Sequence, residues 1–217
     1  MEDRYQVITS RSEGEYKEKG SKFIAYAFPV VDEKEVQEAL LEIKELHPKS
    51  RHYCYAYRMG LDGKLFRTND DGEPSGTAGK PIHGQLLSHN VSDALVVVIR
   101  YFGGTKLGAS GLINAYKTSA KLALDNVSKE IKVLKDRFQI KFDYESMGKV
   151  MNDIKSMNFD IIEKQFEEEA VVLIDIPKND VEEQIQKFKA ILLRVSTEQI
   201  TDETEIDFCT IEKLQSW

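Results

Sequence analysis

The sequence predicts an α+β protein of two domains, and three observations predict it. Its 217 residues exceed the ~150 typical of one domain. Strand-like and helix-like periodicities alternate along the chain. From Phe138 onward the elements follow the order βαββαβ, the split-βαβ unit of a ferredoxin-like domain. The expected domains are 1–130 and 137–217, joined by a polar, Lys-rich linker over 128–137.

The elements follow in order. Lys22–Val31 is aromatic and β-branched and predicts a strand, preceded by polar Tyr16–Lys19. Asp32 offers an N-cap with Glu35 three residues on, close to a capping box. Val36, Ala39, Leu40, Ile43 and Leu46 continue as a helix that Pro48 stops. Arg51–Met59 alternates, with Tyr53, Tyr55 and Tyr57 on one face, and Leu61-Asp62-Gly63 turns it into Lys64–Thr68 as a hairpin. The tyrosines are candidates for stacking on bases; a core or half-buried sheet face is the reading adopted. Asn69–Lys80 holds three glycines and a proline and predicts a loop. Pro81–Leu87 predicts a short helix. Ala94–Tyr101 is nearly all apolar, the mark of a strand buried on both faces. A glycine-rich loop, Gly103–Gly111, leads into a long amphipathic helix from Leu112 to Val127. In the second domain the strands are placed at 138–142, 159–166, 171–176 and, with a break, 195–211. The helices are placed at 147–157 and 181–192, Asn179 and Glu182 capping the latter.

Composition narrows function. The formal net charge is −7, unsuited to a general nucleic-acid binder. The deficit is local: residues 1–130 carry 18 basic and 18 acidic residues, 131–217 carry 12 and 19. Between Pro74 and Leu124 the one acid is Asp93, beside Lys80, Arg100, Lys106, Lys117 and Lys121. That stretch permits a positive face. No apolar run reaches the ~20 residues of a membrane span, and no signal peptide is visible, so the cytoplasm is the expected location. Cys54 and Cys209 are expected to be reduced structural thiols.

Motif spacing excludes several chemistries. Gly103–Gly108 lacks the dinucleotide fingerprint, Gly79-Lys80 lacks the P-loop spacing, and neither Ser75 nor Ser110 lies in a nucleophile elbow. No CxxC or HExxH pattern is present, and no cofactor is predicted. Asp70, Asp71 and Glu73 are candidates for Mg²⁺; we adopt the alternative, a turn whose Asp and Gly serve the backbone. The four histidines, His47, His52, His83 and His89, show no partner for acid–base work in sequence. The strongest local signal is the unit 94–124: buried strand, glycine loop with Lys106, helix. A loop opening onto a helix N-terminus suits an anion; equally, the glycines serve tight turns and close packing.

The segments Asp71-Gly72-Glu73-Pro74-Ser75-Gly76-Thr77-Ala78-Gly79-Lys80-Pro81 and Val98-Ile99-Arg100-Tyr101-Phe102-Gly103-Gly104-Thr105-Lys106-Leu107-Gly108 resemble the IMPACT family, YigZ-like in bacteria. His52–Arg58 and Lys19–Phe23 share the resemblance, which spans about the first 125 residues. The acidic C-terminal part resembles domain V of elongation factor G. The resemblance implies an N-terminal α/β sandwich like the second domain of ribosomal small-subunit protein five. It also implies RNA or ribosome association and a role in translation regulation and stress response. Eukaryotic relatives act through a protein partner, which bacteria lack. The residues it assigns to phosphate or nucleic-acid contact are Arg58, Lys80, Arg100, Gly103, Gly104, Lys106, Gly108 and Gly111; Ser110 joins them as a hydrogen-bond donor in place of a charge. Ser110 and Asn114 depart from the family pattern, which has glycine and then a basic residue there. The reading is a non-catalytic binding protein. Its alternatives are an enzyme or nucleotide-binding protein for a phosphorylated small molecule, and a protein-interaction module.

Overall fold

The computed structural model describes residues 3–201 and 203–216. The chain divides into two compact units, Tyr5–Lys132 and the remaining described residues. Both are mixed α+β.

The first unit is built on a five-stranded antiparallel sheet. Its strands are β2 (Ser12–Glu18), β3 (Ser21–Pro29), β4 (Tyr53–Met59), β5 (Leu65–Asn69) and β7 (Ala94–Tyr101). Their order is β2-β3-β7-β4-β5, so the apolar β7 lies at the centre. Three short strands, β1 (Arg4–Ile8), β6 (Val91–Ser92) and β8 (Lys129–Val133), form a second sheet. Helix α1 (Glu33–Leu46) packs Val36, Leu40 and Ile43 on one face of the large sheet, against Tyr26, Tyr55, Tyr57 and Val97. Helices α2 (Gly79–Ser88) and α3 (Gly108–Asp125) cover the other face, burying Ile82, Leu86, Leu112, Tyr116 and Leu124 against Phe23, Ala56 and Val98. The tyrosine row of β4 is therefore core. Asp32 caps α1 by accepting from Glu35 N at 2.8 Å, but the Glu35 carboxylate accepts from Val31 N, so the capping is not reciprocal.

Strand β2 is absent from the sequence reading. It is an edge strand whose outward residues are charged, and its inward positions are Ser12 and Gly14, too small to register as an apolar alternation. Gly14 admits the backbone of α3: a Cβ there would lie 2.4 Å from Ala123 N.

In the second unit β9 (Lys135–Phe142), β10 (Asp160–Phe166), β11 (Ala170–Pro177) and β12 (Cys209–Ser216) form an antiparallel sheet in the order β10-β11-β9-β12. With α4 (Met147–Ser156) and α5 (Val181–Leu193) this is the ferredoxin-like arrangement. Phe138, Ile140, Ile154, Ile174, Phe188 and Leu192 form its core. The opposite sheet face carries ion pairs, Arg137 holding Asp175 through two bonds of 2.7 and 2.9 Å.

Three expectations are corrected. The linker over 128–137 is strand: β8 and β9 are separated by Leu134 alone. A half-exposed strand alternates charge with apolar residues, so its composition imitates a linker. The last strand starts at Cys209, after a 3₁₀ turn over Thr197–Gln199 closed by a Ser196–Gln199 capping box. Asn179 does not cap α5; it lies in a 3₁₀ turn and its amide donates to Asp3 Oδ2. Cys54 and Cys209 are free and buried, and burial raises both thiols, Cys209 to about 12. No helix among the described residues is long and apolar enough to cross a membrane.

Candidate functional site

Strand β7 delivers Arg100, Tyr101 and Phe102 to the end of the sheet, where the loops over 70–78 and 102–107 converge. A cavity of about 410 Å³ opens there, lined by Glu73, Pro74, Arg100, Phe102, Lys106 and the start of α3.

The 70–78 loop is held from within. Asp70 accepts from the amides of Gly76, Ala78 and Gly79 at 2.8, 2.9 and 2.8 Å. It thereby caps α2, whose own N-cap residue, Ala78, supplies no side-chain bond. Burial pushes the Asp70 carboxyl up, but the three amides outweigh it and its pKa is lowered. A lowered folded value means that the carboxylate stabilises the fold above its unfolded pKa, ~3.9. That contribution is lost as pH falls through the folded value. Asp70→Asn is expected to lower stability at pH 7 by ~1–2 kcal/mol. In urea unfolding from pH 7 to 2 the gap to wild type should close in the acid range. A gap that is constant with pH would sink this role.

Asp71 Oδ2 accepts from Tyr53 N at 2.6 Å, and His52 Nδ1 donates to the Asp71 carbonyl at 2.8 Å. Glu73 is half-buried, but its side chain is only 4% exposed. Its Oε1 accepts from Arg100 Nη1 at 2.7 Å and from the Tyr116 hydroxyl at 2.8 Å. Burial raises the Tyr116 hydroxyl far above its ordinary value, which keeps it a donor. Cys54 Sγ donates toward the Asp70 carbonyl at 3.0 Å and the Tyr116 hydroxyl at 3.4 Å. The three Mg²⁺ candidates thus each have protein donors. Among the described residues no group of three or more His, Cys, Asp or Glu side chains is placed to hold a metal ion.

The structure gathers only part of the predicted phosphate set. Arg100, Lys106 and Gly108 line the cavity. Arg100 is 9% exposed, yet its buried Nε has no hydrogen-bond partner. Gly103 and Gly104 lie in the adjoining turn; the Gly103 amide donates to Ser21 Oγ at 3.1 Å. Ser110 and Gly111 fall inside α3, which begins at Gly108, earlier than the sequence reading placed it. The N-cap of α3 is Leu107, with no side-chain capping bond. Lys80 is exposed in the first turn of α2.

Arg58 is not part of this site. It stands opposite Ala94 in β7, six residues before Arg100, about 20 Å away along the strand. Its Nη1 donates to the Val91 carbonyl at 2.9 Å, and its guanidinium fills the space a side chain at Gly63 would need. A motif position names a residue but not the end of the strand it serves. Phe102 and Tyr116 were missed. The available signal for Phe102 was an aromatic residue directly after a buried strand and before two glycines.

The comparisons with known proteins follow this division. A family model described as the Impact N-terminal domain matches residues 19–124. A second, a domain of unknown function (DUF1949), matches 140–192. The IMPACT family member YvyE of Bacillus subtilis is 37% identical over 164 residues, 76% of each chain. YigZ of Escherichia coli is 30% identical over 152 residues, covering 69% of this chain and 74% of that one. A crystal structure of a hypothetical protein superposes with a TM-score of 0.65 at 25% identity, covering 94% of this chain and all of the other. With relatives this similar across about three quarters of its length, the chain belongs to the IMPACT family.

Proposed function

We propose that this chain is a non-catalytic, cytoplasmic binding protein that associates with RNA or the ribosome and regulates translation. The observation that carries the reading is the start of α3. Its first N–H groups have no intrahelical acceptor and no side-chain cap. The ground before them is open, since a Cβ at Gly104 or Gly108 would meet nothing within 4 Å. Lys106 stands exposed beside them, and no acid occurs from Ala94 to Leu124. Positive dipole, free donors and an exposed lysine, with the one carboxylate of the cavity, Glu73, paired to Arg100, make a phosphate site. Arg100 contributes less charge than the sequence promises, because Glu73 neutralises it.

A second reading, a protein that binds or transforms a phosphorylated small molecule, has in its favour the cavity that joins Glu73 to the glycine loop. Against it, Asp70, Asp71 and Glu73 already accept hydrogen bonds from the protein.

The test is RNA binding across a salt series for wild type and Lys106→Ala. Removal of one phosphate contact should weaken binding and flatten the log–log salt slope by roughly one unit. Unchanged slope and affinity, in a variant of normal thermal stability, would overturn the reading.

A further inference from the structure

Phe102 is assigned no role by the fold. It follows the last residue of β7 and is 60% exposed, although the eight residues before it are seven buried and one half-buried. Single exposed aromatics are common; this one differs in its setting. It forms part of the wall of the cavity that also holds Lys106, Gly108 and Ala109. The Arg100 guanidinium sits 5.4 Å from its ring centroid.

Its position is also fixed. The Gly103 amide is bonded to Ser21 Oγ, and Gly103 lies against the Gly20 backbone so closely that a Cβ would come within 1.8 Å of Gly20 C. On the other side β7 pairs with β3 up to Tyr101. The backbone that carries the ring is thus held on both sides, and the exposed ring has the Arg100 guanidinium over one face. A second planar group can meet only its solvent side.

We propose that Phe102 is a stacking platform for one unpaired base, whose phosphate meets Lys106 and the first turn of α3. This inference rests on the RNA-binding reading above and narrows it to single-stranded RNA. Three observations lead there. The cavity, about 410 Å³, is at the small end of ligand sites, ~300–1,000 Å³, and suits one splayed residue. Arg100, whose buried Nε has no hydrogen-bond partner, lines the same cavity and lies over the ring. An aromatic face with an adjacent phosphate site is the combination by which unpaired nucleotides are held, largely without regard to sequence. A duplex keeps its bases in the stack and offers no free face to Phe102.

The experiment measures binding of a fluorescent single-stranded RNA oligomer, a duplex of the same sequence and a 5′-mononucleotide. Wild type, Phe102→Ala, Phe102→Trp and Lys106→Ala are compared across a salt series. Phe102→Ala should weaken the single strand roughly 5- to 150-fold and leave its salt slope unchanged. Phe102→Trp should restore binding, and the duplex should be insensitive to residue 102. The proposal is overturned if Phe102→Ala binds the single strand like wild type, or if the duplex binds as tightly as the single strand. It is also overturned if the mononucleotide alone matches the oligomer, which makes the cavity a small-molecule site. Failure of this inference leaves the Lys106 slope change in place. Failure of the underlying reading removes that slope change or RNA binding itself, and the Phe102 proposal with it.

Discussion

Glu73→Ala is expected to destabilise the first unit by roughly 3–5 kcal/mol, the largest single effect we anticipate from a charge. The Glu73 and Arg100 side chains are 4% and 9% exposed. Removing the carboxylate leaves a guanidinium, which cannot be deprotonated, in a site with little water. Its Nη1 loses its carboxylate partner, and its Nε has none to begin with. The Tyr116 hydroxyl loses its acceptor at the same moment. The comparison that isolates the mechanism is the double variant Glu73→Leu/Arg100→Met. Replacing a buried pair by apolar side chains is often neutral, so the double variant should unfold at higher urea than Glu73→Ala alone. If Glu73→Ala is lost within about 0.5 kcal/mol of wild type, in the range of an ordinary surface change, the pair is not the organising element of the two loops. Tyr116→Phe should cost only ~1 kcal/mol, because it removes one donor and leaves the ion pair intact.

Gly103→Ala is expected to cost roughly 3 kcal/mol, at the upper end for overpacking because the obstacle is backbone. A Cβ at residue 103 would lie 1.8 Å from Gly20 C and 2.2 Å from Ser21 N. Gly20 has a φ of +79° and sits in the tight turn between β2 and β3, so it has little freedom to retreat. Thermal unfolding should shift down by roughly 10 °C. Gly104→Ala supplies the contrast. Its added methyl meets nothing within 4 Å, and its penalty comes from a φ of +88°, which an L-residue adopts only with strain. It should therefore be the milder change. Equal losses at 103 and 104 would mean that conformation, not close approach, governs this turn.

These two residues also show what could be read without coordinates. The apolar run Ala94–Tyr101 identified β7, because a strand covered on both faces needs no polar alternation. The heptad-like spacing in 36–46 identified α1, and the alternation in 53–59 identified β4. All three signals are local, carried by residues within one turn or one pleat of each other. The motifs at 71–81 and 98–108 carried the family, since long spaced patterns survive where single residues do not. Each glycine in the loop could be recognised as a special position, but not for which reason. Gly103 is small because the backbone of the turn between β2 and β3 lies against it, Gly104 because its φ is positive.

What only the tertiary structure decided are the partnerships between distant segments. Arg100 was legible as a cation, but Glu73, 27 residues earlier in another loop, removes much of its charge from the site. Arg58 carried the same motif warrant and stands at the far end of the sheet, because its strand runs antiparallel to β7. Asp70 was legible as a turn residue serving the backbone, but not as the cap of a helix that starts nine residues downstream. Phe102 gains its setting only when the 70–78 loop folds across to close the cavity beside it. Local periodicity is imposed by bond geometry within a segment, so sequence records it directly. The sign and availability of a charge depend on which groups the fold brings within hydrogen-bond distance, and that is decided by the packing of helices and sheet.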